Sequence, residues 1–192
     1  MAGPLAADSI TWVGADFPPM AMSQGEYAHQ GYIDALFLYL QTSLPQHQFH
    51  EQIVPWQRAM YMAEQGGPIC LISAFQTPER DKFLRFTEPY GYLFPIGVVT
   101  HKKDLADFTP YLTAEGALRL DALLADQNLR LGVASGRSYG PTIDAQLHAL
   151  INRKTPNLQQ VYQAESTSTL LKMLDHQRFD YTLSYPSEVL YY

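Results

Sequence analysis

The chain has 192 residues, of which 46% are apolar and 17% are charged, and its net charge is −6. This composition is typical of one folded domain or two small lobes, and not of a disordered chain. An acidic chain without a run of Lys or Arg is poorly suited to nucleic acid or to an anionic membrane surface, so neither is expected as a partner. No stretch approaches the ~20 apolar residues of a membrane span, so the chain is not expected to cross a bilayer.

The first nine residues, MAGPLAADS, are small and apolar and carry no charge before Asp8. Such a stretch is typical of the end of a secretory signal whose apolar segment has been replaced by a start Met. The chain has a single cysteine, Cys70, so cysteine usage does not decide the compartment. Export with removal of a signal peptide is therefore a hypothesis based on the first residues alone.

Apolar runs alternate with helical periodicity along the first half of the chain. SITWVGA predicts a strand that ends at DFPPM, because two prolines cannot continue a strand. The next predicted elements are a helix in GYIDALFLYLQTSLP, a strand in HQFHEQIV, a helix in PWQRAMYMAEQGG and a strand in ICLISAF. YLFPIGVVTHKKDL is aromatic and β-branched and predicts a long strand suited to joining two lobes.

The second half repeats the pattern. Thr113 predicts the cap of a helix that carries Ala117, Leu120 and Leu124. Later elements are a strand in LRLGVAS, a helix with Ile143, Leu147, Leu150 and Ile151 on one face, a strand in LQQVYQAE, a helix in STSTLLKMLDHQ and a strand in FDYTLSYP. The alternation predicts α/β layers around a largely parallel sheet. PSEVLYY resembles the first turns of a helix, and no further element follows it in the sequence, which suggests a chain truncated at its C-terminus.

Motifs of catalysis are absent from the sequence. HExxH, GxSxG, the P-loop and paired CxxC do not occur, and GVASGRSYG lacks the spacing of a dinucleotide-binding turn. The six histidines are scattered, which favours surface positions over a metal site. We therefore expect neither an enzyme, nor a cofactor, nor a metal.

Arg80 lies in TPERDKFLRFTEPY, directly after a predicted strand. Sheets of this class present ligand-binding groups at the carboxyl ends of their strands, and the fork of a guanidinium suits bidentate capture of a carboxylate. The alternative is a surface ion pair with Glu79, Asp81 or Glu88, which would contribute little stability. Spacing alone leaves both readings open.

A second candidate site follows LRLGVAS, where Ser135, Gly136, Arg137 and Ser138 stand between a predicted strand and a helix. Amides exposed at a helix N-terminus could bind an anion, although an ordinary Ser cap on a tight turn explains the same residues. Phe17 could form an aromatic wall for a ligand together with other aromatic residues, whereas packing in the core is the alternative. These aromatic residues are Trp12, Tyr27 and Tyr32.

The order of several segments resembles that of the family 3 extracellular solute-binding proteins of bacterial ABC transporters. These segments are DFPPM, QGEYAHQGYIDAL, WQRAMYMAEQGG, ISAFQTPERDKFLRFTEPY and LRLGVASGRSYG. The T-P-E-R motif followed by FTEPY is the most specific part and is similar to one branch of that family. The GxxD at Gly31 to Asp34 and the turn around Ser138 support the resemblance.

The resemblance implies an α/β, two-lobed type II periplasmic binding protein fold, a clamshell with lobe 1 incomplete at its C-terminus. Lobe 1 is expected over residues 1–97 and lobe 2 over residues 98–184, with hinge strands near 98–100 and 184–185 and residues 185–192 starting the return to lobe 1. The implied function is periplasmic capture of a small carboxylate-bearing ligand, an amino acid or related polar molecule, for ABC-type uptake. A membrane permease or a receptor would be the protein partner.

The resemblance also implies roles for individual residues. Arg80 would bind the ligand carboxylate and Phe17 would cover the apolar face of the ligand. Ser73 and Thr77 would supply hydroxyl or amide contacts from lobe 1. Ser135, Gly136 and Ser138 would meet the ligand from lobe 2.

Two departures from the family pattern affect these expectations. Amino-acid binders of the family hold the ligand ammonium with an acidic residue, and Tyr185 occupies the matching place, with Glu188 three residues later. The final elements of lobe 1 have no counterpart after Tyr192, and a disulfide partner of Cys70 would be missing with them. A sensory domain of a signalling receptor and a dehydratase-like enzyme are the alternative functions on this fold, and Glu79, Glu88 and Glu188 are the acids that such an enzyme could use.

Overall fold

The structure, a computed structural model, describes residues 9–162 and 166–192. The chain forms two compact units, Met1–Tyr90 and Gly91–Tyr192. The suspected signal remnant at residues 1–8 and the end of the predicted strand LQQVYQAE at residues 163–165 lie outside the described residues. The expected assignment of residues 1–97 and 98–184 to two lobes stays a prediction.

The first unit contains a parallel sheet of three strands covered by helices. The strands are β1 (Ser9–Gly14), β2 (Gln48–Ile53) and β3 (Ile69–Leu71), in the order β2-β1-β3. The helices are α1 (Tyr32–Ser43) and α2 (Trp56–Glu64), and a 3-10 turn covers Arg80–Lys82. All five predicted elements of this region are confirmed in kind and order, as the alternation of period 2 and period 3.6 requires.

Apolar side chains from the central strand and both helices form the core of the first unit. Val13 of β1, Phe37 of α1 and Ala59 of α2 are buried. The Trp12 ring meets the Phe37 ring edge-on, with 6.0 Å between centroids. At the start of α1, Gly31 lies so close to the chain that an added Cβ would be 2.2 Å from the Met20 carbonyl oxygen, so only glycine fits there.

The second unit contains a mixed sheet of four strands. The strands are β4 (Gly97–Val99), β5 (Leu131–Ala134), β6 (Leu158–Val161) and β7 (Tyr181–Ser184), in the order β4-β7-β5-β6. β4 is antiparallel to β7, and the other pairs are parallel. The helices are α3 (Leu105–Phe108), α4 (Leu120–Ala125), α5 (Pro141–Asn152), α6 (Ser166–Asp175) and α7 (Pro186–Tyr191), with 3-10 turns at Lys102–Asp104 and Thr109–Tyr111.

The two central strands of this sheet are buried along their whole length, as expected for parallel strands covered on both faces. Leu123 of α4, Leu147 of α5 and Tyr181 of β7 belong to one core cluster. Leu170 of α6 and Phe179 belong to a second. The predicted apolar face of α5 is confirmed, since Ile143 and Leu150 pack on the first cluster beside Leu147.

The predicted long strand in YLFPIGVVTHKKDL is wrong in length, because only Gly97–Val99 is extended and paired. Pro95 lacks an amide hydrogen and cannot donate to a neighbouring strand, and Tyr92 and Phe94 are 100% and 77% exposed, so no packing holds these residues in a strand. The expected hinge segments, 98–100 and 184–185, adjoin or lie in β4 and β7, which pair with Gly97 opposite Ser184 and Val98 opposite Leu183. Their role as hinges stays a prediction.

Two predicted boundaries also need correction. The helix assigned from Thr113 begins only at Leu120, because residues 113–117 close a turn in which Gly116 has φ +81° and the Thr113 hydroxyl accepts the Ala117 amide at 3.2 Å. The strand in ICLISAF ends at Leu71, because Ser73 has φ +64° and leaves the extended region. Within residues 9–162 and 166–192, no helix combines the length and apolar character that a membrane span needs.

Candidate functional site

The predicted ligand residues of the first unit follow two neighbouring parallel strands. Phe17 comes three residues after β1, and Ser73, Thr77 and Arg80 follow β3. The carboxyl ends of β1 and β3 meet at one edge of the sheet, which we call the first-unit edge, and the segments that carry these residues leave the sheet there. Phe17 and Ser73 follow their strands within three residues, whereas Arg80 lies nine residues after Leu71, so a common site for the four residues stays a prediction.

Arg80 is half-buried and lies in the 3-10 turn Arg80–Lys82. Its Nη1 donates to the Phe75 carbonyl oxygen at 2.8 Å, and its Cζ lies 5.5 Å from the centroid of the Trp56 ring. A guanidinium stacked on an aromatic ring and tied to one carbonyl has a fixed orientation. The contacts within the chain thus fix the orientation of this cation, which lies nine residues after Leu71, the last residue of β3.

Ser73 and Thr77 have protein partners in this structure. The Ser73 hydroxyl is 3.0 Å from the Tyr90 hydroxyl, and the Thr77 hydroxyl accepts the Arg80 amide at 3.3 Å. Thr77 thus stabilises the turn that carries Arg80. Their predicted contacts with a ligand stay predictions, and the contact that Thr77 makes with the Arg80 amide is one of positioning.

Phe17 is half-buried in the loop that follows β1. Its amide donates to the Ala21 carbonyl oxygen at 2.8 Å, which closes the loop around Met20. The loop is joined to α1, since Asp34 accepts the amides of Met22 at 3.1 Å and Gly31 at 2.8 Å. Asp34, the acid of the GxxD pattern, therefore fixes the loop that holds Phe17.

The predicted residues of the second unit lie at the carboxyl ends of β5 and β7, which are parallel neighbours. We call this place the second-unit edge. Most amides of the turn after β5 already have acceptors: Ser135 donates to Val161, Arg137 to Ala134 and Tyr139 to Asp144. In the described part of the chain, the amides of Gly136 and Ser138 have no protein acceptor. The predicted contacts of Ser135, Gly136 and Ser138 with a ligand stay predictions.

The hydroxyls of the same turn are less available. Ser138 donates its hydroxyl to Asp144 Oδ2 at 2.5 Å, and Asp144 Oδ1 accepts the Tyr139 amide at 2.7 Å. Ser138 thus directs its hydroxyl hydrogen to Asp144 in the first turn of α5 and does not present it as a free donor. The N-cap residue of α5 is Gly140 and no side chain caps it, so the ordinary Ser cap that the sequence left open is not formed.

A buried ion pair dominates the second-unit edge and was not predicted. Arg137 donates from Nη1 to Glu188 Oε1 at 3.0 Å and from Nη2 to Glu188 Oε2 at 2.7 Å. The Arg137 side chain is 9% exposed and Glu188 is fully buried. Such a bidentate pair fixes the position of both side chains.

Three further donors surround the same carboxylate. Thr167 donates its hydroxyl to Oε1 at 2.6 Å, and Ser184 donates its hydroxyl to Oε2 at 2.8 Å. The Tyr185 amide donates to Oε2 at 2.9 Å. We call Arg137, Thr167, Ser184, Tyr185 and Glu188 the Arg137–Glu188 cluster.

The cluster decides the charge state of its members. Burial alone would raise the pKa of the Glu188 carboxyl, but the hydrogen bonds from Arg137 and Thr167 lower it below its ordinary value. Burial would lower the pKa of the Arg137 guanidinium, yet its hydrogen bonds to Glu188 keep that pKa above its ordinary value. Glu188 is therefore an ionised, saturated acceptor rather than a free carboxylate.

Tyr185, predicted at the place of the family's acidic residue, is 5% exposed and its ring lies 5.5 Å from Arg137 Cζ. Its hydroxyl has no hydrogen-bond partner among the described residues, although it is buried. Burial raises the pKa of this hydroxyl to about 12, so it is protonated at neutral pH. A buried donor without a partner is costly unless a bound group satisfies it.

The sequence contained one signal that points to this cluster. Glu188 stands three residues after Tyr185, the spacing of a capping box in which an acid at the third helical position accepts the amide of the N-cap residue. That spacing predicts that the Glu188 carboxylate accepts the Tyr185 amide. It does not predict that Arg137, 51 residues earlier in the chain, forms an ion pair with the same carboxylate. In residues 9–162 and 166–192, no group of three or more His, Cys, Asp or Glu is arranged to hold a metal ion.

The chain matches no protein-family model, and no curated protein sequence matches it significantly. Solved structures match it over nearly all of its length. An ancestral arginine-binding protein bound to arginine has a TM-score of 0.65 at 16% identity, over 94% of this chain and 72% of that chain. A putative L-cystine ABC transporter from Listeria monocytogenes has a TM-score of 0.64 at 17% identity, over 94% of this chain and 70% of that chain.

A third structure is AncCDT-1, an ancestral amino-acid-binding protein described as a precursor of cyclohexadienyl dehydratase. It has a TM-score of 0.64 at 15% identity, over 95% of this chain and 73% of that chain. The similarity covers both units and both sheets. The chain therefore has the mixed α/β, two-sheet fold of the type II periplasmic binding proteins.

Proposed function

We propose that this protein is a solute-binding protein that captures a small carboxylate-bearing ligand for ABC-type uptake. The observation that carries the proposal is the similarity in fold over 94% of the chain to proteins described as arginine-binding and as an L-cystine ABC transporter. Membership of family 3 and its T-P-E-R branch, a periplasmic location after export, and a membrane permease as partner are parts of the same proposal.

Arg80 is the proposed anchor of the ligand carboxylate. It combines a fixed guanidinium with a position in the segment that follows the parallel strand β3, and α/β sheets bind ligands through the segments after their strands. Its Nη1 donates to a backbone carbonyl and its Cζ stands over a ring, so ordering the side chain costs little when a ligand binds. Phe17 at the same edge is the proposed apolar cover.

We further propose binding without catalysis. AncCDT-1 is described as a precursor of cyclohexadienyl dehydratase, which gives the enzymatic alternative a concrete form. A general acid must hold a proton near neutral pH, yet Glu188 is ionised, fully buried and saturated with donors. A turnover assay with cyclohexadienyl acids tests this point, and measurable turnover would contradict it.

The central experiment is thermal unfolding of the purified chain with and without L-arginine, L-glutamine, L-cystine, succinate and glutarate. A ligand at 100 times its Kd stabilises the folded state by about 2.7 kcal/mol, which is readily measured. Arg80→Ala is expected to abolish the stabilisation by whichever of these ligands acts on the parent, because the carboxylate loses its cation. The variant should keep its fold, since Arg80 is half-buried at a turn and not in the core.

Arg85→Ala is the matched control. Arg85 is exposed, and its Nη1 donates to the carbonyl oxygens of Asp81 and Leu84, both at 3.4 Å. This variant removes the same charge five residues away and should respond to ligand as the parent does. If Arg80→Ala still responds fully, or if both variants lose the response equally, Arg80 is not the anchor.

A further inference from the structure

Trp56 lies in the segment that follows β2 and was not among the predicted ligand residues. It is half-buried and is the first residue of α2, three residues after Ile53, the last residue of β2. The Val54 amide donates to the Gly14 carbonyl oxygen at 2.9 Å, which ties the start of this segment to the end of β1. Trp56 therefore lies close to the first-unit edge.

The contact between Trp56 and Arg80 joins the segments that leave the two outer strands. The sheet order is β2-β1-β3, so β1 separates the strand before Trp56 from the strand before Arg80. Neighbouring strands lie about 4.8 Å apart, so the two outer strands are about 10 Å apart. Arg80 Cζ is nevertheless 5.5 Å from the centroid of the Trp56 ring. The segment after β3 thus folds back toward the carboxyl end of the sheet, although Arg80 lies nine residues beyond Leu71.

The turn that carries Arg80 holds the backbone of this residue. The Asp81 amide donates to the Thr77 carbonyl oxygen at 2.9 Å, and the Gln76 side-chain amide donates to Asp81 Oδ1 at 2.8 Å. Together with the bond from the Arg80 amide to the Thr77 hydroxyl, these bonds fix the Arg80 backbone. A long side chain on a fixed backbone still has many rotamers, and holding it in one of them costs conformational entropy. The contacts of the guanidinium itself therefore decide where its charge lies.

The two contacts of the guanidinium described above have different roles. The Phe75 carbonyl oxygen belongs to the same segment as Arg80, so the bond from Nη1 fixes the guanidinium relative to that segment. Trp56 belongs to α2, which packs on the sheet through the fully buried Ala59. The stacking on Trp56 therefore fixes the guanidinium relative to the sheet. A planar guanidinium is well suited to such a contact with an aromatic face.

We infer that Trp56 is a positioning residue for ligand binding, whose ring holds the Arg80 guanidinium at the first-unit edge in the orientation that binds the ligand carboxylate. The inference rests on the proposed function, since it names the residue that orients the proposed anchor. Trp56 acts through Arg80 and not by its own contact with the ligand.

The first test is Trp56→Leu, with affinity measured by calorimetry on the full chain. The probe is whichever of L-arginine, L-glutamine, L-cystine, succinate and glutarate stabilises the parent. Trp56→Leu should weaken binding about 5- to 10-fold, because ligand binding must then order a mobile guanidinium. Trp56→Phe keeps an aromatic face and should bind within about 2-fold of the parent.

Tyr61→Leu is the matched control. Tyr61 is on the same helix, and its ring centroid lies 5.4 Å from Arg58 Cζ, so this variant removes a similar contact that does not involve Arg80. Its affinity should equal that of the parent. An equal loss in Tyr61→Leu and Trp56→Leu would show a general effect on α2 and would overturn the inference.

Arg80→Lys distinguishes positioning from direct contact with the ligand. Lysine keeps the charge but lacks the planar fork that the ring orients. In the Arg80→Lys background, Trp56→Leu should weaken binding by less than about 2-fold, because the two residues act as one unit. The same loss in both backgrounds would mean that Trp56 contacts the ligand itself, and the inference would fail.

Arg80→Ala separates failure of the inference from failure of the proposed function. If Arg80→Ala abolishes binding while Trp56→Leu binds as the parent does, the proposed function stands and the inference fails. If none of the five acids binds in a manner that needs Arg80, both fail.

NMR of the free parent protein gives a readout that does not depend on the folding of any variant. The ring current of Trp56 should shift the side-chain N–H protons of Arg80 upfield of their position in the unfolded chain, because the guanidinium lies over the ring. An Arg80 side chain without that shift would overturn the inference.

Discussion

Glu188→Gln is the substitution whose effect follows most directly from the contacts. The change removes one negative charge with almost no change in volume, and it leaves the Arg137 guanidinium buried at 9% exposure of its side chain. Removing one partner of a buried ion pair typically costs about 3 to 5 kcal/mol, because the remaining charge is uncompensated. Whole domains are stable by only about 5 to 15 kcal/mol, so the expected loss is a large fraction of the total.

Equilibrium unfolding in urea measures this loss, and a double-mutant cycle with Arg137→Met assigns it. Arg137→Met strands the Glu188 anion in the same way, so each single variant is expected to be severely destabilised. The double variant strands no charge and should cost less than the sum of the single variants, by about 1 to 3 kcal/mol. Glu188→Gln keeps one oxygen and replaces the other with an NH2 group, so one of the hydroxyls of Thr167 and Ser184 loses its acceptor and recovery is incomplete.

The dependence of stability on pH gives an independent check of the same pair. The folded state lowers the pKa of Glu188 below its unfolded value, so the carboxylate contributes stability above an unfolded pKa of about 4.3. That contribution is lost as the pH falls through the folded pKa. Glu188→Gln should therefore show a shallower loss of stability below about pH 4.3 than the parent. Two results together would refute the reasoning. One is a double variant whose loss of stability equals the sum of the losses in the two single variants, and the other is a Glu188→Gln variant that loses stability in acid as steeply as the parent.

Two further substitutions test packing and hydrogen bonding in the second unit, both by urea unfolding. Gly132→Ala places a Cβ 2.3 Å from the Phe179 ring and should lower the free energy of unfolding by about 1 to 3 kcal/mol. Gly97→Ala is the control, because its added Cβ meets no atom within 4 Å and should leave stability nearly unchanged. Equal effects of the two substitutions would contradict the clash. Asn157→Ala removes amide donors to the carbonyl oxygens of Asp126 at 2.7 Å and Leu129 at 2.9 Å and should cost about 1 to 3 kcal/mol, so a change below about 0.5 kcal/mol would show that water replaces them.

The regular elements were predictable because their periodicity is a local property of the sequence. The run Val133 to Ala134 is buried in a central strand, and α5 buries the face that its spacing indicates. The failures occurred where local signals conflict with pairing. YLFPIGVVTHKKDL has strand-forming residues, but β4 needs β7 as a partner and Pro95 limits its reach.

The candidate site was predictable only in part. The position of Arg80 after a strand is visible in the sequence, because a strand end followed by T-P-E-R is a local feature. The contacts that fix it, with Trp56 and the Phe75 carbonyl oxygen, are not local and could not be read from spacing. The same holds for Glu188, whose partner Arg137 is on another strand-end turn.

The Arg137–Glu188 cluster also explains why residue identity at one position does not decide ligand chemistry. Tyr185 occupies the place where the amino-acid binders of the family carry an acidic residue that holds the ligand ammonium. A nearby acid could replace that residue in function, and Glu188 lies only three residues later in the sequence. In the structure, the Glu188 carboxylate accepts hydrogen bonds from Arg137, Thr167, Ser184 and the Tyr185 amide. It therefore cannot take the place of the missing acid. A carboxylate whose oxygens already accept hydrogen bonds from protein donors fixes the positions of those donors, and it has no acceptor left for a further group.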